Sequence, residues 1–116
     1  SEGVSKRGMS LPRFVDVTSA NAAKIMGLYP RKGIIAPGSD ADIVLIDPNI
    51  KKRLGPGDFH ITDYSIWDGF DIEGWPVTTI LRGKVAVENG QLIAKLGDGQ
   101  FLRRKVDSDV TNRPVC

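Results

Sequence analysis

Asp40 and Asp42 stand one residue apart in "GIIAPGSDADIVLID", on the lip of an apolar run. Two carboxylates at that spacing can serve a metal or a proton-transfer step, or they can close a turn that feeds a strand. Hydrolytic metal sites need several His, Asp, Glu or Cys ligands that converge. The chain has one histidine, His60, in a Gly-rich stretch, and no His-x-His. No partner ligand lies in reach of Asp40 or Asp42 by sequence. The turn is therefore the favoured reading, because Asp beside a turn bonds the backbone locally.

The other candidates are weaker. Ser65, Asp63 and His60 contain the residue types of a nucleophilic triad, but nothing resembles a nucleophile elbow. Cys116 has no neighbour in sequence that argues for a lowered thiol pKa. Asp63, Asp68, Asp71 and Glu73 fall in one loop at a spacing that matches no calcium loop. "GPG" and "GDG" lack the lysine and hydroxyl of a phosphate cradle. "LRRK" is an ordinary basic patch. The residues alone thus assign no catalytic, cofactor-binding or metal-ligating position.

The elements around these residues can be read from pattern. Ser10 is a good N-cap with Pro12 in the first helical turn. Leu11, Phe14, Val15 and Thr18 share one face at helical spacing. Thr18 or Ser19 is expected to cap a second short helix, "ANAAKIM", closed by Gly27. Ala22, Ala23, Ile25 and Met26 supply its apolar face. "APGSDAD" is a turn built on Pro37 and Gly38. Ile43 to Ile46 reads as a strand covered on both faces and ended by Pro48. "KKRL" is a possible short polar strand. "GPGDFHITDYSIWDGFDIEGWP" reads as irregular structure with Phe59, Tyr64, Trp67, Phe70 and Trp75 as anchors. Arg82-Gly83 and Asn89-Gly90 separate three β-rich runs, which predicts an antiparallel meander. "LGDGQF" is a further turn, and the polar tail after it is expected to be extended.

The totals set bounds. With 116 residues the chain is one domain or part of a larger one. At 26% charged and 41% hydrophobic it has a globular composition. A net charge of +2 gives no argument for nucleic acid or an acidic membrane. No apolar run approaches the roughly 20 residues of a membrane span. One cysteine makes no internal disulfide, and a reducing, cytoplasmic setting is the simpler reading. The first residues, "SEGVSKRGMSLPRF", start without methionine inside what reads as structured sequence. The expectation is a piece of something longer.

The stretch "TSANAAKIMGLYPRKGIIAPGSDADIVLIDP" resembles the C-terminal section of the cyclic amidohydrolases. The pattern is carried by Thr18, Asn21, Ala23, Gly27-Leu28, Gly33, Gly38-Ser39 and Ala41-Asp42. "NAAKIMGLYPRKG" narrows the resemblance to the dihydropyrimidinase and hydantoinase branch. Tyr64-Ser65, Gly69, Gly74, Pro76 and Arg82-Gly83 agree with that branch too. The resemblance implies a mixed α/β piece of a (β/α)₈ metal-dependent hydrolase barrel with a small composite β-sandwich. Residues 1–33 would be the terminal helical segment of the barrel. Residues 34–96 would be the C-terminal part of the sandwich, and residues 97–116 an extended tail.

The resemblance also implies two zinc ions with a carboxylated lysine, all held upstream of the matching part, and hydrolysis of the ring amide of hydantoins or dihydropyrimidines. None of the family's ligands corresponds to a position here, so the fragment alone is expected to hold no metal and to be inactive. Its implied partners are the rest of the parent chain, further copies in a dimer or tetramer, and a small cyclic-amide substrate for the parent. Nucleic acid and membrane are not among them. Two other readings stay open. The branch includes non-catalytic dihydropyrimidinase-related interaction proteins, and an upstream His-x-His would tell enzyme from non-enzyme. A free-standing β-rich binding module is the third reading, disfavoured by the unpaired sheet edges it would expose.

Overall fold

The computed structural model describes residues 1–59, 64–95 and 97–112. A helical run comes first, and a four-stranded antiparallel sheet in the order β1-β2-β3-β4 follows. Helix α1 spans Leu11–Val15 and α2 spans Asn21–Ile25. Ser10 caps α1 as expected: its hydroxyl accepts from the Arg13 amide at 3.3 Å, with Pro12 in the first turn. The second cap is not made. Thr18 Oγ1 instead donates back to the Phe14 carbonyl at 2.7 Å. The chain passes from α1 to α2 through a wide, π-helical turn at Asp16–Ala20. A hydroxyl bonded to the carbonyl four residues back bends a helix without ending it. Gly27 closes α2 with φ of 68°, as predicted.

Strand β1, Ile43–Arg53, is longer than its apolar run. It joins "IVLI" and "KKR" through Pro48, where the sequence predicts a stop. The pairing with β2 shifts between Asp47 and Lys51, and the Asp47 carboxylate accepts the Asn49 amide at 2.8 Å. That irregularity absorbs the N–H that proline lacks. Strand β2, Asp71–Leu81, likewise takes in "DIEGWP", which local pattern leaves irregular. Its partner is remote: Arg53, Lys52 and Lys51 face Asp71, Ile72 and Glu73. Gly74, with φ of 81°, breaks the alternation that would have marked the strand.

The meander is as predicted. β3 is Lys84–Glu88 and β4 is Gln91–Leu92. Arg82 and Gly83 have φ of 47° and 79°, and Asn89 and Gly90 have 48° and 78°. Two consecutive positive φ values match the type I′ turns that suit the strand twist. Within the tail, Ser108–Asn112 form α3, one short helix where the sequence predicts extended chain.

The largest departure concerns the core. Among the described residues only Ala23 and Leu54 are buried hydrophobics. Val44, Leu45 and Ile46, read as covered on both faces, are each about half exposed. The solvent-accessible surface is 9328 Å², whereas a folded monomer of 12.6 kDa should show about 6,200 Å². The radius of gyration is 16.3 Å, against about 13 Å for a compact chain of this length. A sheet buries a face only against another layer. The described residues supply one sheet and a short helical run, and among them nothing covers the apolar face.

Candidate functional site

The sequence brings Asp40 and Asp42 forward, and the structure surrounds both with cations. The 36–39 turn closes through the Ser39 amide to the Ala36 carbonyl at 3.1 Å, with Gly38 at φ of 91°. The Asp40 carboxylate then takes Arg31 Nε at 3.0 Å and Lys32 Nζ at 2.9 Å. Lys32 Nζ also pairs with Asp42. The other oxygen of Asp42 accepts the Arg82 amide at 2.8 Å, and the Gly83 amide bonds the Ala41 carbonyl at 3.0 Å. Arg82 in turn donates from its guanidinium to the Asp98 carbonyl.

Charge balance explains the titration of this group. The hydrogen bonds from Lys32 and then Arg31 hold the Asp40 carboxyl below the usual carboxylate range. Partial burial pushes Asp42 up, but Lys32 and the Arg82 N–H outweigh it and leave Asp42 lowered. Burial alone would lower Lys32, yet its two carboxylate partners raise it. Both carboxylates are neutralised by cations of the chain and directed at N–H donors, which is the arrangement of a structural ion-pair cluster. The arrangement is a clasp: it fastens residues 31–42 to the β2–β3 turn and, through Arg82, to Asp98.

The remaining candidates are dispersed. His60, Asp63 and Cys116 lie outside the described residues. Ser65 Oγ accepts the Trp67 amide at 3.1 Å, a turn contact. Glu73 pairs with Lys51, and its carboxyl is lowered by Lys51 and Ser5. Asp58, in the "GPG" region, pairs with Lys52 and accepts the Gly55 amide at 3.0 Å. Asp71 faces Arg53 across the β1–β2 ladder. Among the described residues no group of three His, Cys, Asp or Glu side chains could hold a metal ion. No helix there is long and apolar enough to cross a membrane.

The aromatics only partly act as anchors. Trp67 and Phe70 meet edge-to-face at 5.5 Å, and Lys52 Nζ lies 3.5 Å from the Trp75 ring centre. Tyr64 is largely exposed. Sequence reasoning missed two residues that organise the molecule, Lys32 and Ser1, and read Arg82 only as a turn residue, not as a partner of Asp42 and Asp98. The Ser1 hydroxyl accepts from the Glu73 amide at 2.7 Å and donates to the Glu73 carbonyl at 2.9 Å, standing in for a strand residue at the edge of β2. No local pattern marks these pairings, because the partners are separated along the chain.

Comparison with known proteins gives this geometry its context. The profile of the amidohydrolase family matches residues 1–86. A D-phenylhydantoinase of Escherichia coli O1:K1 / APEC is 46% identical over 106 residues, covering 90% of this chain and 23% of the relative. The dihydropyrimidinase from Brevibacillus agri NCHU1002 superposes with a TM-score of 0.88 at 39% identity, over 98% of this chain and 24% of that one. A D-hydantoinase (dihydropyrimidinase) from Thermus sp. gives 0.84 at 46% identity, over 89% and 23%. The chain therefore spans about a quarter of the length of these relatives. Sequence and fold agree over nearly the whole of what is present, and on that agreement this chain belongs to the amidohydrolase family.

Proposed function

We propose that this chain is part of a cyclic amidohydrolase that opens the ring amide of hydantoins or dihydropyrimidines. The observation that carries the reading is 46% identity to a D-phenylhydantoinase over 90% of the chain. Within that protein the chain is scaffold and assembly surface. The helical residues 1–33 would close the barrel, residues 34–96 would belong to the sandwich, and residues 97–116 would form the tail.

Zinc and a carboxylated lysine do not fit the residues present here. Asp40, Asp42, Asp58 and Glu73 are all engaged by lysines. The proposal places the metal centre elsewhere in the protein and assigns no catalytic step to the described residues. Assembly as a dimer or tetramer and a cytoplasmic location complete the proposal.

The test uses the intact protein. Ring opening of a 5-substituted hydantoin and of dihydrouracil is followed before and after dialysis against a chelator. The expected result is activity on at least one substrate that chelation abolishes and zinc restores. Hydrogen exchange in 43–53 and 71–81 should not change on chelation. No ring opening by the zinc-loaded protein would sink the reading and favour a non-catalytic relative. A loss of protection in those strands on chelation would place the metal in this part.

A further inference from the structure

Gly27 has a second reason to be glycine. Its φ of 68° closes α2, but its Cα also lies under the tail. A Cβ there would stand 2.5 Å from the Lys105 carbonyl carbon and 2.7 Å from the Val106 nitrogen. The Lys105 amide donates to the Gly27 carbonyl at 3.3 Å, and Arg104 Nη1 reaches Met26 Sδ at 3.6 Å. Backbone thus crosses backbone, with no room for a side chain between. Val106 is half-buried at the crossing, while Arg103, Arg104 and Lys105 are exposed.

We propose that residues 103–107 form a detachable strap, docked on the C-terminal end of α2 by its fit to Gly27. Shape holds it: among the described residues one long backbone hydrogen bond and one weak N–H···S contact are the polar contribution, so the strap can leave α2 by local opening, without unfolding of the sheet. The proposal concerns this chain's own packing and stands whether or not the intact protein opens cyclic amides. The strap fixes the direction in which the tail runs from the helical segment. Because the basic run "RRK" lies within it, docking also controls how a protease reaches those residues, since cleavage needs several residues of extended, undocked backbone.

The experiment is limited trypsin digestion of the intact protein, read as the rate of cleavage after Arg103, with hydrogen exchange in 71–81 as the control for the sheet. Wild type should be cut slowly. Gly27→Ala should be cut at least ten times faster with sheet protection unchanged. A second variant, Lys105→Pro, removes the amide that donates to Gly27 and adds no atom at residue 27. It covers the case in which an alanine at positive φ disturbs the helix end itself. Acceleration in either variant with the sheet intact supports the strap. Unchanged cleavage in both variants overturns it. Loss of sheet protection in both also overturns it, because a detachable strap does not hold up the sheet.

Discussion

Lys32 meets the carboxylates of both Asp40 and Asp42, and this sets what each of the three can do. Asp42 matters most, because it also accepts the Arg82 amide and so links the loop to the sheet. Replacing it by alanine removes an ion pair and leaves a backbone N–H without its acceptor. The expected cost is about 1–2 kcal/mol in urea unfolding of the intact protein. Asp42→Asn keeps the amide acceptor and should cost less. The pH dependence follows from the directions of the shifts. Asp40 and Asp42 titrate below their ordinary range when folded, so their contribution is complete above about pH 4 and is lost as pH falls through the folded values. Lys32 is raised, so its share persists through neutral pH and is lost only when pH rises past its ordinary value, about 10.4. The stability gap between Asp42→Ala and wild type should therefore be widest at about pH 7 and narrow as pH falls from about 4 toward about 2. An equal gap at both pH values would show that the clasp contributes through packing and not through charge.

At the scale of elements, the glycines separate two kinds of constraint. Gly83 sits at φ of 79° with nothing within 4 Å of a built Cβ, so Gly83→Ala meets only the conformational penalty, about 1 kcal/mol. Gly33 also has positive φ, and its Cβ would fall 2.6 Å from Ala23 Cβ and 3.1 Å from Ala20 Cα. Gly33→Ala should cost more than Gly83→Ala in the same unfolding assay, because loop 28–42 would be lifted off α2. Equal costs would mean that the loop is already loose. The two type I′ turns were legible because Asn-Gly and Arg-Gly act locally. The full length of β1 and β2 was not, because Asp71–Glu73 become strand only by pairing with Lys51–Arg53, which are remote in sequence.

At the scale of the whole molecule, the uncovered sheet dominates. Val44, Leu45, Ile46 and Val85 leave apolar surface in water, and the total surface exceeds that of a compact monomer by about half. Exposed apolar area of this size draws a partner layer or promotes association. The isolated chain should therefore sediment as species larger than 12.6 kDa and bind a hydrophobic dye. In the intact protein the same strands should bind none. A dye-free monomer of the isolated chain would mean that the sheet covers itself by rearranging.

The sequence alone carries the features that depend on neighbours along the chain. These include the Ser10 cap, the Gly27 stop, the Pro37-Gly38 turn, both hairpin turns and the family pattern that runs from Thr18 to Asp42. It also favoured a turn over a metal site for Asp40 and Asp42, since no further ligand stands at a useful spacing. Features that depend on remote partners emerge only in the folded chain. Lys32 and Arg82 close on the two aspartates, Ser1 fills the edge of β2, the tail crosses Gly27, and "IVLI" lies open instead of enclosed. The physical reason is that caps and turns are fixed by the φ, ψ and hydrogen bonds of a few adjacent residues. Burial and ion pairing are fixed by which surfaces meet, and a strand's apolar run records that a covering layer is wanted without supplying it.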